Sequence, residues 1–275
     1  MTDAPPIAGL SRLGLGCSRI GSFGNPTPIR AIRDLLAAAL DLGVTVFDTA
    51  DIYGQGDSER EIGRVLKGRR DQGFVVTKCG QTFSAKMRLM APLKPVLKPL
   101  IMATGRGQAV TGAREGHRSV DFSPARYAAA LDASLRRLGF DHVDGFLLHG
   151  PTAAELADPA HGEALAALKA AGKVRHFGVS CDDAASLRAA LAMPGLTMLE
   201  LPVDVIDAAE AGDLGDAIRS RAIVVLAREI MRLRPELAPV EAVRRSVSDP
   251  LTACTIVGTS KRAHLEELVL AARAA

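Results

Sequence analysis

The sequence predicts a single-domain α/β fold, a closed (β/α)8 TIM barrel that spans residues 1–275. Eight apolar, β-branched runs alternate with helix-like segments, and such runs are typical of parallel strands that are covered on both faces. A length of 275 residues is also usual for one barrel domain. Eight strand–helix units in this length favour a closed barrel over an open doubly wound sheet.

The predicted elements follow one another in a regular order. The strands lie near Leu13–Cys17, Val44–Asp48, Phe74–Lys78, Val143–His149, Val174–Ser180, Met198–Leu201, Ile223–Ala227 and Cys254–Gly258. Helices are expected at Pro28–Leu42, Ser58–Gly68, Pro124–Leu138, Ala154–Ala171, Asp183–Ala192, Ala208–Ala222, Pro239–Val247 and Lys261–Ala272. We expect Asp57 or Ser58 to cap the second helix, because both types of side chain accept hydrogen bonds from a helix N-terminus.

One segment interrupts this order. A basic and apolar insertion at about 80–122 separates the third strand from the helix that follows it. Loops of this length are usually functional or disordered. Two interpretations stay open, a lid over a substrate pocket and a solvated excursion. Three prolines, Pro92, Pro95 and Pro99, would interrupt any long helix there, including one lying on a membrane surface.

Composition argues against several classes of partner. The formal charge is only +3 and tryptophan is absent, so neither a polyanion-binding surface nor a stacking platform for nucleic acid is expected. No apolar run reaches the roughly 18 residues of a membrane span, and the first residues lack an export signal. We therefore expect a cytoplasmic protein with no membrane partner. Its four cysteines are expected to be reduced thiols and no metal site is predicted.

Four chemically capable side chains lie at or just after the ends of predicted strands. They are Asp48, Tyr53, Lys78 and His149. In a TIM barrel the carboxyl ends of the strands surround the active site. A lysine ammonium beside a tyrosine lowers the pKa of the phenol, and a carboxylate behind the lysine keeps the lysine charged. Such a group of residues suits the transfer of a proton to or from an oxygen atom near neutral pH.

Nearly the whole chain resembles the aldo-keto reductase family. The resemblance is carried, in order, by Phe47–Gly54, Ser58–Gly63, Thr77–Gly80, Ser134–Gly139, Asp144–His149, Gly172–Ser180 and Ile256–Lys261. It implies an NAD(P)(H)-dependent oxidoreductase that interconverts an aldehyde or ketone and the corresponding alcohol. By the same resemblance Tyr53 is the general acid/base, Asp48 and Lys78 adjust its acidity, and His149 orients and polarises the carbonyl group.

The resemblance also implies a set of cofactor contacts. These are Gly16, Cys17, Ser180, Cys181, Glu200, Arg228, Gly258, Thr259, Ser260, Lys261, His264 and Glu267. Backbone N–H groups at the start of the last helix can hold a phosphate. With Lys261 and Arg262 beside them, NADP(H) is favoured, and NAD(H) is possible. Three positions depart from the family pattern: Cys181 and Leu268 each replace an asparagine, and Glu200 replaces a glutamine.

Two other functions stay open on the sequence alone. The altered cofactor contacts allow a nucleotide-binding relative with vestigial catalysis, which acts as a sensor or binds a partner. A barrel enzyme could also use the same acid/base set without net hydride transfer, as an epimerase or dehydratase does. The identity of the carbonyl or alcohol substrate, the direction of the reaction and the oligomeric state are not predicted.

Overall fold

Eight parallel strands close into a barrel, which confirms the predicted fold class. The computed structural model describes residues 7–22, 25–83, 118–210 and 212–275. The barrel strands are β1 (Leu13–Gly16), β2 (Val46–Asp48), β3 (Phe74–Cys79), β6 (Val143–His149), β7 (Val174–Ser180), β8 (Met198–Pro202), β9 (Val224–Arg228) and β10 (Cys254–Val257). They pair in this order, and β10 pairs with β1 to complete the ring. Each of the eight predicted barrel strands is therefore present, with bounds shifted by at most two residues.

Helices follow the strands as predicted, but several bounds differ. Those in the described residues are α1 (Ile29–Asp41), α2 (Asp57–Val65), α3 (Tyr127–Leu138), α4 (Ala160–Ala170), α5 (Ala184–Leu191), α6 (Val203–Glu210), α7 (Asp213–Ser220), α8 (Pro239–Val247) and α9 (Arg262–Arg273). The single helix expected at Ala208–Ala222 is two helices, and the first begins five residues earlier, at Val203. The helix expected at Ala154–Ala171 begins only at Ala160, after a short 3₁₀ turn at Glu155–Ala157. The helix expected at Ser58–Gly68 ends at Val65, and the one expected from Pro124 begins at Tyr127. None of the helices in the described ranges is long and apolar enough to cross a membrane.

The predicted cap of the second helix is wrong. Gly56 precedes α2 in a left-handed conformation (φ 84°), and neither Asp57 nor Ser58 caps the helix with its side chain. Ser58 is instead buried, where its hydroxyl donates to the carbonyl of Cys17 (3.2 Å) and shares a hydrogen bond with the Thr49 hydroxyl (2.7 Å). This side chain therefore ties the start of α2 to two strand–loop junctions.

Two apolar cores hold the barrel together. A large core lies between the strands and the surrounding helices. A smaller core fills the barrel interior and consists of Val46, Phe74, Val76, Leu147, Met198, Val224, Leu226, Cys254 and Ile256. Branched side chains predominate in it, as is usual for the interior layers of a closed parallel barrel. The residues above this layer lie at the carboxyl end of the strands.

Helices α2 and α3 approach each other closely at Gly63. A Cβ atom at this position would lie 2.0 Å from the carbonyl oxygen of Leu138. Only glycine therefore permits this spacing of the two helices. A partly buried ion pair between Glu59 of α2 and Arg137 of α3 strengthens the same contact, and the buried Glu59 also accepts from the Thr77 hydroxyl of β3 (2.7 Å).

A two-stranded antiparallel sheet brackets the predicted insertion. It consists of β4 (Gln81–Phe83) and β5 (Arg118–Val120), in which Gln81 pairs with Val120 and Phe83 with Arg118. The side chain of Gln81 donates from Nε2 to the carbonyl of His149 (3.0 Å), so the sheet is joined to the end of β6. Most of the insertion predicted at about 80–122 lies outside the described residues, and its two functional interpretations stay predictions.

Candidate active site

Strand alternation brings polar side chains together at the carboxyl end of the barrel. Successive side chains of a strand point to opposite faces, so residues two positions apart share a face. The interior core layer contains Val46, Val76, Leu147, Met198 and Leu226. Two residues after each of them come Asp48, Lys78, His149, Glu200 and Arg228. These five side chains therefore face the barrel interior from five different strands.

Lys78 stands at the centre of this cluster. Its side chain is fully buried and its Nζ atom forms an ion pair with Oδ1 of Asp48. The same Nζ lies 3.0 Å from Oε2 of Glu200 and donates to the backbone carbonyl of Thr49 at 3.2 Å. One ammonium group thus faces two buried carboxylates. The residues predicted to form the catalytic group are brought together, and Glu200 joins them.

The charges in the cluster alter one another's protonation. Burial would lower the pKa of Lys78, but the carboxylates of Asp48 and Glu200 outweigh it and raise that pKa above its usual value. Burial and the neighbouring Glu200 raise the pKa of Asp48 to about 7, against the lowering effect of Lys78. The lysine therefore stays charged, as expected from the sequence. The Asp48 carboxyl holds a proton more readily than an exposed aspartate does.

Tyr53 lies beside Lys78, but burial has the larger effect on its acidity. The lysine Nζ is 5.4 Å from the centroid of the tyrosine ring. Burial raises the pKa of Tyr53 strongly; Lys78 lowers it by less, and Asp48 and Glu200 raise it further. The lowering by the ammonium is present, as expected from the sequence, but burial dominates and the net pKa is raised. The phenol is therefore protonated at neutral pH.

The loop that carries Tyr53 has little freedom to move. Tyr53–Gln55 forms a short 3₁₀ turn in which Gly54 has a φ of 58°. A Cβ atom at Gly54 would lie 2.3 Å from the carbonyl oxygen of Ile20, so the loop packs against the segment that follows β1. The amide of Asp51 donates to the carbonyl of Lys78 (3.2 Å), which joins the same loop to β3. These contacts hold the phenol at the barrel mouth.

His149 faces Tyr53 from the end of β6. The two rings meet nearly edge to face, with centroids 5.6 Å apart and planes at 87°. The imidazole is partly exposed, whereas Lys78 behind the phenol is fully buried. A small molecule that enters from solvent would therefore meet the histidine and the phenol before it could meet the lysine.

The predicted nicotinamide contacts form a polar network that meets the predicted catalytic residues at Glu200. The Ser180 hydroxyl donates to Oε1 of Glu200 (3.2 Å), and Nε of Arg228 lies 3.5 Å from the same oxygen. Arg228 also pairs with Asp182, with Glu229 (3.1 Å), and donates to a backbone carbonyl. A guanidinium group that is mostly buried thus closes one side of the mouth.

The cysteine side chains at this end of the barrel point into the protein. Cys17 and Cys181 are almost completely buried, and burial raises the pKa of Cys181 to about 12. The Cys17 thiol donates weakly to the carbonyl of Leu15 at 3.4 Å. Contact with a ligand would therefore come from their backbones, as it would from Gly16. Among the described residues, no group of three or more histidine, cysteine or acidic side chains is arranged to hold a metal ion.

The residues predicted to hold the far end of a dinucleotide surround the start of α9. Gly258, Ser260, Lys261, His264 and Glu267 are exposed, and Thr259 is partly exposed. The Thr259 hydroxyl accepts from the Lys261 amide (3.1 Å), and no side chain caps the helix. Backbone N–H groups in the first turn of α9 therefore stay available to an anion. Leu268, by contrast, is buried.

The residues present fit an NAD(P)(H) cofactor at both ends. Oε2 of Glu200 and Nε of Arg228 are buried; each has an ion-pair neighbour, Lys78 and Glu200 respectively, but neither makes a hydrogen bond of good geometry within the described residues. A carboxylate can accept from the N–H of a carboxamide. At the other end, a Cβ atom added to Gly258 would meet no atom within 4 Å, which leaves room beside the helix N-terminus.

Sequence reasoning missed how the cofactor-side and catalytic residues are connected. Glu200 was expected only at the nicotinamide, yet it contacts Lys78. Alternation along β8 places Glu200 on the inner face two residues after Met198, but it does not specify which inner-face residue Glu200 contacts. The pairing of Arg228 with Asp182 joins residues 46 apart in the chain and carries no local signal.

Comparison with known proteins gives one consistent result. A model of the Aldo/keto reductase family matches residues 12–230. A 6-dehydroglucose reductase from Agrobacterium fabrum is 36% identical over 174 residues, which cover 62% of this chain and 50% of that protein. The aldo-keto reductase yakc of Schizosaccharomyces pombe, whose name specifies NADP(+), is 31% identical over 189 residues, which cover 66% of this chain and 45% of that protein. An NADH-specific methylglyoxal reductase of Escherichia coli is 29% identical over 223 residues, 78% of this chain and 62% of its own length. The chain thus spans about half the length of the curated relatives it matches.

Solved structures support the same comparison. An aldo-keto reductase from Pseudomonas aeruginosa superposes with a TM-score of 0.71 at 26% identity, over 96% of this chain and 89% of that one. The holo form of an aldo-keto reductase from Bacillus halodurans gives a TM-score of 0.73 at 21% identity, over 97% of this chain and 88% of that one. The second likeness concerns the fold alone.

Proposed function

The chain belongs to the aldo/keto reductase family, and from that premise we propose that it is an NAD(P)(H)-dependent oxidoreductase. The reaction is the interconversion of an aldehyde or ketone and the corresponding alcohol. The observation that carries the proposal is the gathering of Asp48, Tyr53, Lys78 and His149 at one end of the barrel, although they are widely separated in the sequence.

In the proposed mechanism Tyr53 supplies the proton in carbonyl reduction. A nicotinamide held beside Glu200 and Arg228 would supply the hydride for the carbonyl carbon. Because burial keeps the pKa of Tyr53 well above neutrality, the phenol holds its proton until negative charge develops on the carbonyl oxygen. His149, at the edge of the same ring, orients that oxygen and donates to it. Lys78 stabilises the phenolate that remains after the proton has moved.

NADP(H) is the preferred cofactor in this proposal. Lys261 is exposed at the start of α9, next to N–H groups that can hold a phosphate. Arg262 is also exposed, but it is bonded to Glu266 of the following turn (2.7 Å). The relatives do not settle the choice, because one is named for NADP(+) and another is called NADH-specific. The two cofactors therefore need to be compared directly.

The proposed substrates are small carbonyl compounds. Two of the curated relatives carry such substrates in their names, a dehydroglucose and methylglyoxal. Substrate specificity in TIM barrels depends on the loops at the carboxyl end. Here the antiparallel pair β4–β5 is joined through Gln81 to the end of β6, so the intervening insertion departs beside the catalytic group. We propose that this insertion selects the substrate.

The test combines cofactor binding with turnover. NADPH and NADH are titrated by the emission of the nicotinamide, which tryptophan does not obscure because the chain has none. A panel of sugar-derived, α-dicarbonyl and aromatic aldehydes and ketones is then followed by nicotinamide absorbance. Binding followed by turnover of any of them would support the reductase. If neither cofactor binds at millimolar concentration, the proposal is wrong.

A second function is favoured by one observation. Glu200 and Arg228 lie where the nicotinamide of the cofactor is predicted to bind, and they form a charged network there. By the family resemblance, a neutral glutamine stands at the position of Glu200. A protein that binds the dinucleotide without turnover, as a sensor or partner-binding module, would show tight binding and no consumption of NADPH. The complete catalytic group speaks for the reductase.

A further inference from the structure

We propose that Glu200 is a second charge partner of Lys78, which positions its ammonium group and, through it, controls the ionisation of Tyr53. The catalytic meaning of this inference rests on the proposed function. The charge coupling itself is a property of the protein without a cofactor.

The contacts of Glu200 are directed toward the catalytic group. Oε2 lies 3.0 Å from Nζ of Lys78, and the side chain is only 4% exposed. Oε1 accepts from the Ser180 hydroxyl at 3.2 Å. Glu200 is thus held from β7 on one side and faces β3 on the other. An ammonium placed between two carboxylates, Asp48 and Glu200, has fewer positions available to it than one paired with a single acid.

The charges around Glu200 determine the direction in which it shifts the ionisation of Tyr53. The groups that face Glu200 are Lys78 from β3, Asp48 from β2, Ser180 from β7, Arg228 from β9 and Tyr53 from the loop after β2. Lys78 carries one positive charge against two carboxylates. Arg228 is 3.5 Å from Glu200, but Asp182 and Glu229 also contact it. The negative charge of Glu200 therefore opposes the formation of a phenolate nearby.

A carboxylate at this position cannot do what an amide does. An amide both donates and accepts hydrogen bonds, whereas an ionised carboxylate only accepts. Glu200 can accept from the N–H of a cofactor carboxamide but cannot donate to its carbonyl. Compared with an amide, the carboxylate of Glu200 instead places a full negative charge 3.0 Å from Nζ of Lys78. The substitution therefore moves this residue from cofactor recognition toward control of proton transfer.

Two features make this coupling measurable without a cofactor. The chain contains two tyrosines and no tryptophan, so a Tyr127→Phe background leaves Tyr53 as the only phenol. Biosynthetic incorporation of 3-fluorotyrosine lowers the intrinsic pKa of the phenol into an accessible range and provides a single fluorine NMR resonance. Its chemical shift then reports the ionisation of Tyr53 alone.

The decisive variant is Glu200→Gln, which keeps the shape and removes the charge. We expect the ionisation midpoint of Tyr53 to fall by roughly one pH unit. Asp48→Asn is the positive control and should shift the midpoint in the same direction. Glu229→Gln is the matched negative control, because Glu229 contacts Arg228 but makes no ion pair with Lys78, and should leave the midpoint unchanged.

The outcomes separate this inference from the proposed function. A shift in Glu200→Gln that matches Asp48→Asn supports the charge coupling even if no carbonyl is turned over. In that case the reductase assignment fails and the coupling stands. An unchanged midpoint in Glu200→Gln, together with a shifted one in Asp48→Asn, overturns the inference. If Glu200→Gln does not fold, the ionisation midpoint of Tyr53 is measured in Glu200→Asp, which keeps the charge but shortens the side chain.

Activity provides an independent check where turnover is found. If Glu200 controls proton transfer, Glu200→Gln moves the basic limb of the kcat profile to lower pH, by about as much as the phenol midpoint moves. If Glu200 acts only as a cofactor contact, the cofactor Kd changes while the pH profile of kcat does not. The second result would contradict the inference.

Discussion

The ring of His149 meets the ring of Tyr53 nearly at a right angle, with centroids 5.6 Å apart. The two residues come from different strands and are 96 positions apart in the chain. Both residues are partly exposed, whereas Lys78, beside the tyrosine ring, is completely buried. In the proposed mechanism, a carbonyl oxygen bound between them would meet a proton donor, Tyr53, and an orienting group, His149, at the same time.

Replacement of Tyr53 by phenylalanine should abolish turnover and spare cofactor binding. Tyr53→Phe removes only the hydroxyl, so we expect kcat to fall about 100- to 10,000-fold, as is usual for loss of a general acid. The Kd of NADPH should stay within about threefold. The control is Tyr127→Phe, whose hydroxyl bonds Phe122 (2.9 Å) and His161 (2.7 Å) on the outer side of the barrel. It should lose stability and keep kcat. Equal loss of binding and turnover in Tyr53→Phe would mean that Tyr53 is structural.

Replacement of Lys78 by methionine should be strongly destabilising. Lys78→Met leaves the carboxylates of Asp48 and Glu200 buried without their cation. We expect the free energy of unfolding in urea at neutral pH to fall by about 3–5 kcal/mol. Lys173→Met is the control, because its ion pair with Asp132 is well exposed and should contribute less than about 1 kcal/mol. Similar losses in both variants would contradict the assigned role of the buried cluster.

Some features of the Lys78 cluster could be predicted from the sequence and others could not. The strands and the positions of Asp48, Lys78 and His149 were predictable because apolar runs and their ends are local features. The net effect on Tyr53 was not, because it depends on how deeply the phenol is buried, and burial outweighs the ammonium. The contact between Glu200 and Lys78 depends on strand stagger around the barrel, which no short motif records.

The open space at Gly258 predicts a selective effect on binding. Gly258→Ala adds a methyl group that would meet no protein atom within 4 Å, so the melting temperature should be unchanged. If a phosphate binds there, the same methyl group should weaken NADPH binding by about tenfold. Gly63→Ala is the comparison variant, because its methyl group would lie 2.0 Å from the Leu138 carbonyl oxygen. This variant should lower the free energy of unfolding by about 1–3 kcal/mol. Unchanged NADPH affinity in Gly258→Ala would place the phosphate elsewhere.

The preference for NADPH should depend on Lys261 more than on Arg262. Lys261→Ala removes an exposed cation at the start of α9, and we expect it to weaken NADPH binding about tenfold with little effect on NADH. Arg262→Ala should have a smaller effect, because Arg262 is already bonded to Glu266 (2.7 Å). Fluorescence titration of both cofactors against both variants measures the difference. Equal losses for NADPH and NADH would argue against a contact with the extra phosphate.

Asp51 should make stability fall as the pH rises. Burial and then Glu59 raise the pKa of Asp51 to about 7, against the lowering effect of Arg137, whereas the unfolded chain has an ordinary aspartate. The native state therefore binds more protons between about pH 4 and 7, and its stability decreases as the pH rises through that range. Asp51→Asn should remove about 4 kcal/mol of this decrease, measured as the difference between the free energies of urea unfolding at about pH 4 and about pH 7.

An aspartate with a shift of the opposite sign provides the control for Asp51. A hydrogen bond from Arg188 lowers the pKa of the exposed Asp213, so its contribution is present above the unfolded pKa and is lost only as the pH falls below that range. Asp213→Asn should therefore leave the pH dependence between about pH 4 and 7 unchanged. A variant of Asp51 with the wild-type slope would show that its carboxyl is ionised in the folded protein.

Helix bounds show where local patterns were insufficient. Pro239–Val247 was predicted with its observed bounds because a proline marks its first turn. The helix Val203–Glu210 was expected to begin at Ala208, because its first residues, Val203, Val205 and Ile206, have strand-like composition. These side chains are buried, so packing of the apolar face decides their conformation. Ser58 likewise serves a buried hydrogen bond instead of the helix cap that its position suggested.

The paired ends of β4 and β5 have an evolutionary consequence. Phe83 and Arg118 are partners across the antiparallel ladder, so the chain leaves the barrel and returns to it at neighbouring points. A segment attached in this way is a replaceable module, since its loss or exchange needs no change in barrel closure. If this segment selects the substrate, as proposed, a change of substrate would require changes there and none in Asp48, Tyr53, Lys78 or His149.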